Sequence, residues 1–271
     1  MSALTVLGRI HGFAPTPRMY NSPMPQKLTF SNSKGDKLAG ILTNLTGNLQ
    51  APIIIWCYGH SSYMDRPSSQ VMAQTFLEHK WSVFQFDFYG HGDSEGDFAN
   101  ATPGEAADDV INAIKYVKTQ GYSRIGLTGS SFGGLACLLA AAESPEIFVL
   151  VLKSPVSDYA SLFPPEIISN WQRAGSIPYP EHRDTHKLNY IFYTDSLQNN
   201  AYKIAHKIKT PTLIVHGDAD TEVPLIQSQK LAKLIPNCHL EIIPGAGHDY
   251  SEPTHQRQML QAISQFIINH A

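Results

Sequence analysis

The 271-residue sequence has little cysteine, modest charge and no long apolar run. Its three cysteines, Cys57, Cys137 and Cys238, are widely spaced and form no CxxC pair, which excludes a disulfide framework and suits thiols in a reducing compartment. Charged residues are 16% of the chain and the net charge is −3, so no basic field marks nucleic acid or an anionic membrane surface. No segment approaches the length of a membrane span. The N-terminal "MSALTVLGRIHGFAPTP" lacks the basic-then-apolar order of a signal peptide. There is no internal repeat, no low-complexity tract and no linker-like shift in composition. These absences leave a soluble cytoplasmic protein as the expectation. Its 42% hydrophobic content is enough for one large core.

What is present is an alternation. Residues 1–25 are rich in Pro, Gly and polar groups and read as an arm. Extended segments near Lys27–Phe30 and Lys37–Leu42 flank a Lys34-Gly35-Asp36 turn, a hairpin pattern. "PIIIWCYGH" is apolar on both faces, as in a strand buried inside a sheet. Beyond it the helical "VMAQTFLEH", the strand "WSVFQFDF" and the amphipathic "GEAADDVINAIKYVKTQG" alternate. The strand "RIGLTG", the apolar helix "FGGLACLLAAAES" and the strand "FVLVLKSP" continue the rhythm. From Pro155 to Ala205 it breaks: the stretch is Pro- and aromatic-rich with no clear strand. It resumes with "PTLIVHG", a helix near Ile226–Leu234, "CHLEIIPG" and a last helix over Thr254–Asn269. Short apolar strands alternating with helices predict a mostly parallel sheet covered on both faces.

One turn stands out. The strand ending at Gly129 runs through Ser130, Ser131, Phe132 and Gly133 straight into a helix, the G-x-S-x-G pattern of a nucleophile elbow. So tight a turn has no room for side chains two residues either side of its apex, and Gly129 and Gly133 supply none there. The pattern selects Ser131 over Ser130. A serine nucleophile needs a base, and the base needs an orienting carboxylate. Both are expected after later strands, where open α/β sheets gather their sites. "HGDADTEVP" offers Asp218, Asp220 and Glu222, and "AGHDY" offers His248.

With these motifs, residues 26–271 resemble the α/β-hydrolase superfamily. The resemblance implies an α/β-hydrolase fold with a core of 26–154 and 206–271 and a lid insertion at 155–205. The family's His-Gly-x-x-Asp-x-x-Val-Pro stretch maps onto His216–Pro224 and assigns the acid to Asp220, with Asp218 as the alternative. His248 maps onto the base. The oxyanion hole would use the N–H groups of Phe132 and His60, with Tyr58 standing where the family has a histidine. The loop "DFYGHGDSEG" resembles a family turn, which makes Asp87, His91 and Ser94 structural. Loop texture further resembles small feruloyl or cinnamoyl esterases and the serine-aminopeptidase-like branch.

The implied activity is a serine carboxylester hydrolase acting through an acyl-enzyme on small esters with apolar or aromatic acyl groups. Expected substrate contacts are Tyr63, Phe163, Trp171 and Tyr190; the other reading of the insertion's aromatics is that they fasten it to the body. Thioester or amide cleavage by the same triad is an alternative. Amide cleavage calls for amine-recognising carboxylates, and Glu166, Glu181 and Asp184 are available. A scaffold that only binds a small molecule is another. No cofactor and no metal are expected, since His182 and His186 lack the glutamate of a zinc-protease motif. The expected partner is the small-molecule substrate; pairing of two copies as a homodimer is left open.

Overall fold

The computed structural model of the chain describes residues 25–179 and 186–271. The expected arm therefore lies outside the described residues apart from Pro25, as do Glu181, His182 and Asp184. In the first half, β1 (Gln26–Ser31), β2 (Lys37–Thr43), β3 (Ile53–Cys57), α1 (Pro67–Glu78), β4 (Ser82–Phe86), α2 (Pro103–Thr119), β5 (Ile125–Ser130), α3 (Ser131–Ala141) and β6 (Val149–Lys153) follow one another. After an insertion come β9 (Thr212–Gly217), α7 (Leu225–Leu234), β10 (Cys238–Ile243) and α8 (Pro253–His270). The insertion itself carries α4 (Pro165–Ala174), β7 (Ser176–Pro178), β8 (Lys187–Asn189), α5 (Ile191–Gln198) and α6 (Ala201–Ile204).

Eight strands form one sheet in the order β1-β2-β4-β3-β5-β6-β9-β10. β1 and β2 are an antiparallel hairpin, and β2 pairs antiparallel with β4. From β4 to β10 every pairing is parallel. Central β3, β4 and β5 are buried at every position, Gln85 and Thr128 included, as strands covered on both faces are. β10, at the edge, is mostly exposed or half-exposed.

Residue parity divides the core. Ile53, Ile55, Cys57, Leu127, Leu150 and Leu152 face α2, α3 and the insertion. Ile54, Trp56, Val149 and Val151 face α1 and α8. Because successive side chains in a strand point to opposite faces, Ser130 and Lys153 belong to the α1–α8 face as well. All the parallel strands end on one edge, so the loops after β3, β5, β6, β9 and β10 meet there.

The insertion differs from its sequence reading. It contains a short antiparallel pair, β7 with β8, and its own aromatic interior. Trp171 is fully buried and its indole N–H donates to the Leu188 carbonyl at 2.7 Å. Phe163, Tyr190, Phe192 and Tyr193 pack around it with ring centroids 5.1–6.2 Å from Trp171 where paired directly. Trp171, Leu188 and Phe192 belong to the same apolar cluster as the α2–α3 face of the sheet, so the insertion extends that core. The insertion is tied down at Gly104 N to Asp195 Oδ1 (2.9 Å), Asn189 Nδ2 to Asn100 Oδ1 (2.8 Å) and Ser157 N to Gln227 Oε1 (2.8 Å).

At the end of β9 the backbone of the β10–α8 loop passes so close to Gly217 that any Cβ there would overlap the Ala246 carbonyl. Gly217→Ala is expected to destabilise the fold by about 1–3 kcal/mol, read as a lowered urea midpoint. An unchanged midpoint would mean the two loops separate without cost.

Candidate active site

The turn from β5 into α3 places Ser131 at φ +52°, in the left-handed region. Such a backbone is strained for a non-glycine residue and persists only where its surroundings hold it. Those surroundings are glycines. A Cβ on Gly129 would sit 2.5 Å from the Gly133 carbonyl, and one on Gly133 would overlap the carbonyls of Cys57 and Tyr58. The helix therefore presses its first turn onto the end of β3. That contact also brings Gly59, in the loop after β3, close, since a Cβ there would lie 3.4 Å from the Ser131 Cβ. Ser130 instead points to the other sheet face, with its Oγ 3.4 Å from Lys153 Nζ.

The Asp220 side chain is buried. Its Oδ2 accepts from His248 Nδ1 at 2.7 Å, and its Oδ1 accepts from the N–H groups of Glu222 and Val223, both at 2.9 Å. His216 Nε2 lies 3.3 Å from the same Oδ2 and donates to the Val223 carbonyl at 2.9 Å; its Nδ1 pairs with Ser228 Oγ at 2.7 Å. Burial alone would raise the Asp220 carboxyl, but the hydrogen bonds from His216 and His248 hold it far below the usual carboxylate range. An ionised Asp220 only accepts, so His248 carries its proton on Nδ1 and leaves the Nε2 lone pair available. Asp218 is engaged elsewhere: its Oδ1 accepts from Gly245 N at 2.6 Å.

Ser131 and His248 line one cavity of about 460 Å³. On the insertion side its walls include Tyr58, His60, Val156, Tyr159, Leu162 and Tyr179. On the α1–α8 side they include Trp56, Met72, Lys153 and Met259. Glu222 also lines it, with Oε2 3.7 Å from His248 Nε2.

The expected substrate contacts do not coincide with this lining. Tyr63 is exposed, on the loop before α1, and Phe163, Trp171 and Tyr190 pack within the insertion; none of the four lines the cavity. Tyr159, Leu162 and Tyr179 line it from the insertion side. Only the fold separates the segment's inward aromatics from its cavity-facing ones. Lys153 and His216 were also missed as individual residues. The one signal for Lys153 was a lone cation closing the apolar strand "FVLVLK".

The substitution of Tyr58 for the family's histidine has a local explanation. The Tyr58 hydroxyl donates to Asp87 Oδ1 at 2.8 Å and accepts from Phe88 N at 3.1 Å. Asp87 also accepts from Met64 N (2.7 Å) and Asp93 N (2.9 Å). It is a buried knot between the loops after β3 and β4. Ser94 bonds the Asp87 carbonyl at 2.5 Å, and His91 Nδ1 pairs with the Tyr89 carbonyl at 2.9 Å.

The His60 ring is buried among Phe98, Phe132, Tyr179 and Phe192, with centroids 4.7–5.3 Å away. Neither of its nitrogens has a partner among the described residues. Burial, reinforced by His91 and His186, holds it well below the ordinary 6.5, and burial brings His91 down to about 4.

Comparison with known proteins places this geometry. The family model described as the prolyl oligopeptidase family matches residues 68–271. The uncharacterised peptidase YuxL of Bacillus subtilis is 22% identical over 262 residues, covering 91% of this chain and 39% of its own. The chain thus spans about two fifths of that relative's length. Among solved structures, Est1E of Butyrivibrio proteoclasticus with ferulic acid bound superimposes with a TM-score of 0.79 at 26% identity, covering 90% of this chain and 98% of that one. The mouse α/β hydrolase domain-containing protein 10 does so with a TM-score of 0.76 at 20% identity, covering 91% and 100%. The fold is the α/β-hydrolase fold.

The buried histidines set a pH dependence. Their folded pKa values lie below the unfolded value, so between about pH 6.5 and 4 the unfolded chain binds more protons than the folded one. Their contribution to stability is complete above that window and is lost as pH falls through it. The melting temperature is expected to be lower at about pH 5 than at about pH 7. His60→Phe, which keeps the aromatic packing without a titrating ring, should narrow the difference. An equal pH response in that variant would show that His60 does not titrate as a buried neutral ring.

Proposed function

We propose that this chain, which belongs to the prolyl oligopeptidase family and has the α/β-hydrolase fold, cleaves carboxylic esters with Ser131 as nucleophile. The observation that carries the reading is the Asp220–His248 pair, at 2.7 Å, opening onto the cavity that Ser131 also lines. In this reading His248 Nε2 takes the Ser131 hydroxyl proton as Oγ attacks the ester carbonyl. Asp220 fixes the imidazole tautomer and balances the imidazolium. The N–H groups of Phe132, in the unsatisfied first turn of α3, and of His60 receive the oxyanion. His248 then gives its proton to the leaving alcohol. It next activates water, which releases the acid from the acyl-enzyme.

The aromatic and aliphatic walls favour small apolar or aromatic acyl groups. That Est1E is solved with ferulic acid bound supports an aromatic acid as one such group. Peptide or aminoacyl amide cleavage is the second reading. It is favoured by the family's name, by the peptidase YuxL, and by two carboxylates, Glu222 and Asp249, on the cavity wall where a substrate amine could pair.

A fluorophosphonate probe is expected to label the wild-type protein and not Ser131→Ala; labelling that instead disappears only in Ser130→Ala would overturn the nucleophile. Asp220→Asn should lower kcat by roughly 10⁴-fold through the wrong tautomer, while Asp218→Asn should cost far less. A panel of aryl and alkyl esters, thioesters and aminoacyl anilides decides the substrate class. Turnover of the anilides above the esters would replace the esterase reading with the peptidase one.

A further inference from the structure

Lys153 is an unusual residue to find where it is. It closes β6, the strand beside the one that carries the elbow, and it shares the α1–α8 face of the sheet with Ser130. Its Nζ donates to the main-chain carbonyl of His248 at 2.8 Å and reaches Ser130 Oγ at 3.4 Å. The ammonium also lies 5.0 Å from the centroid of the Tyr250 ring. Among the described residues it makes no salt bridge. A desolvated ammonium is costly unless its hydrogen bonds and its field compensate it. Here the hydrogen bonds go to the base's own residue and to the residue before the nucleophile. The field comes from Asp249, Asp220 and Glu222, which oppose the lowering of the Lys153 pKa by burial.

We propose that Lys153 is a positioning residue that holds the His248 loop in register with the serine elbow. This rests on the reading of Ser131 and His248 as nucleophile and base. The loop between β10 and α8 is tied to the β9 loop ahead of His248, by Gly245 N to Asp218 Oδ1 at 2.6 Å and Ala219 N to the Ala246 carbonyl at 3.0 Å, and its backbone is strained beyond His248 at Tyr250, with φ +52°. Asp220 fixes the imidazole at Nδ1, but one hydrogen bond leaves the ring free to swing about it. Lys153 fixes the main chain of the same residue from the strand next to the elbow. Two anchors on one residue, from β9's loop and from β6, define both ends of the side chain. A displacement of about 1 Å between base and nucleophile can cost on the order of 100-fold in rate, so such an anchor acts on kcat.

The test compares Lys153→Met, Lys153→Gln and Lys153→Arg on the ester turned over best by the wild type. Lys153→Met should lower kcat roughly 10- to 100-fold with little change in KM. Lys153→Arg and Lys153→Gln can still donate to the His248 carbonyl, so kcat should recover in part in both, which retains the test if Lys153→Met does not fold. A Met variant that melts like the wild type with kcat within about twofold would overturn the proposal. So would Arg and Gln variants that fold but lose as much kcat as the Met variant. If the wild type neither reacts with a fluorophosphonate nor turns over any ester, it is the assignment of Ser131 and His248 that fails. If it does both and the Lys153 variants match it, only the positioning role fails.

Discussion

The close approach of α3 to the end of β3 is the constraint on which the rest of this end of the molecule depends. It exists because Gly133 has no side chain to hold the carbonyls of Cys57 and Tyr58 away. Everything at the edge of the sheet is placed relative to that contact. Ser131 is lifted to the rim beside Gly59, and the Phe132 ring is driven the other way, into the interface with the insertion. There it meets His60, Phe88, His91 and Tyr159 at centroid distances of 4.7–6.1 Å. A single tight turn thus supplies both a solvent-facing hydroxyl and the apolar floor on which the overlying segment rests. Neither role could be served with a β-carbon at Gly133.

The charges around the cavity are arranged in a different manner from the apolar packing. Asp220 is buried with its two oxygens divided between tasks: Oδ1 closes its own loop through two backbone N–H groups, and Oδ2 faces two histidines. His216 is therefore more than a strand residue, because it ties the acid to α7 through Ser228 and to the Val223 carbonyl. Asp87 performs the equivalent service for the loop after β3 by gathering Tyr58, Met64 and Asp93. In both cases a carboxylate sets the shape of a loop that lines the cavity. Buried polar groups of this kind are stable only when fully satisfied, which makes these loops rigid rather than adaptable.

Much of this was legible in the sequence. β3 and β6 announce themselves by apolar runs, and the elbow by glycines whose spacing answers a steric need. The alternation of strands and helices follows from the first signal and the choice of Ser131 from the second; Asp220 and His248 come from the resemblance to the α/β-hydrolase superfamily. The insertion was legible only as a change of texture. Its aromatics look alike along the chain, yet Trp171 is buried against the Leu188 carbonyl while Tyr159 and Tyr179 face the cavity. Periodicity has little to say about a segment of short helices and three-residue strands, because each is shorter than the window in which a period can be seen. Lys153 was hidden for another reason: its partners are a main-chain carbonyl and a hydroxyl from distant parts of the chain, and no local pattern encodes such contacts.

Backbone strain offers an independent view of where the molecule is specialised. Five described residues other than glycine have positive φ: Ser61, Lys80, Ser131, Ser154 and Tyr250. Four of them directly follow or adjoin a cavity-lining residue: Ser61 after His60, Ser131 itself, Ser154 after Lys153, and Tyr250 after Asp249. Each such residue costs of order 1–3 kcal/mol, a cost that folding alone gives no reason to concentrate at one edge of a sheet. The strain bends each loop back over the strand ends and aims its side chains across the boundary between the two core faces. Walls from the α2–α3 face, such as Tyr58 and Val156, and from the α1–α8 face, such as Trp56 and Met259, then enclose one cavity. The elbow is the point on this sheet that touches both faces: Phe132 packs on the α2–α3 side, Ser130 reaches Lys153 on the other, and Ser131 stands between them.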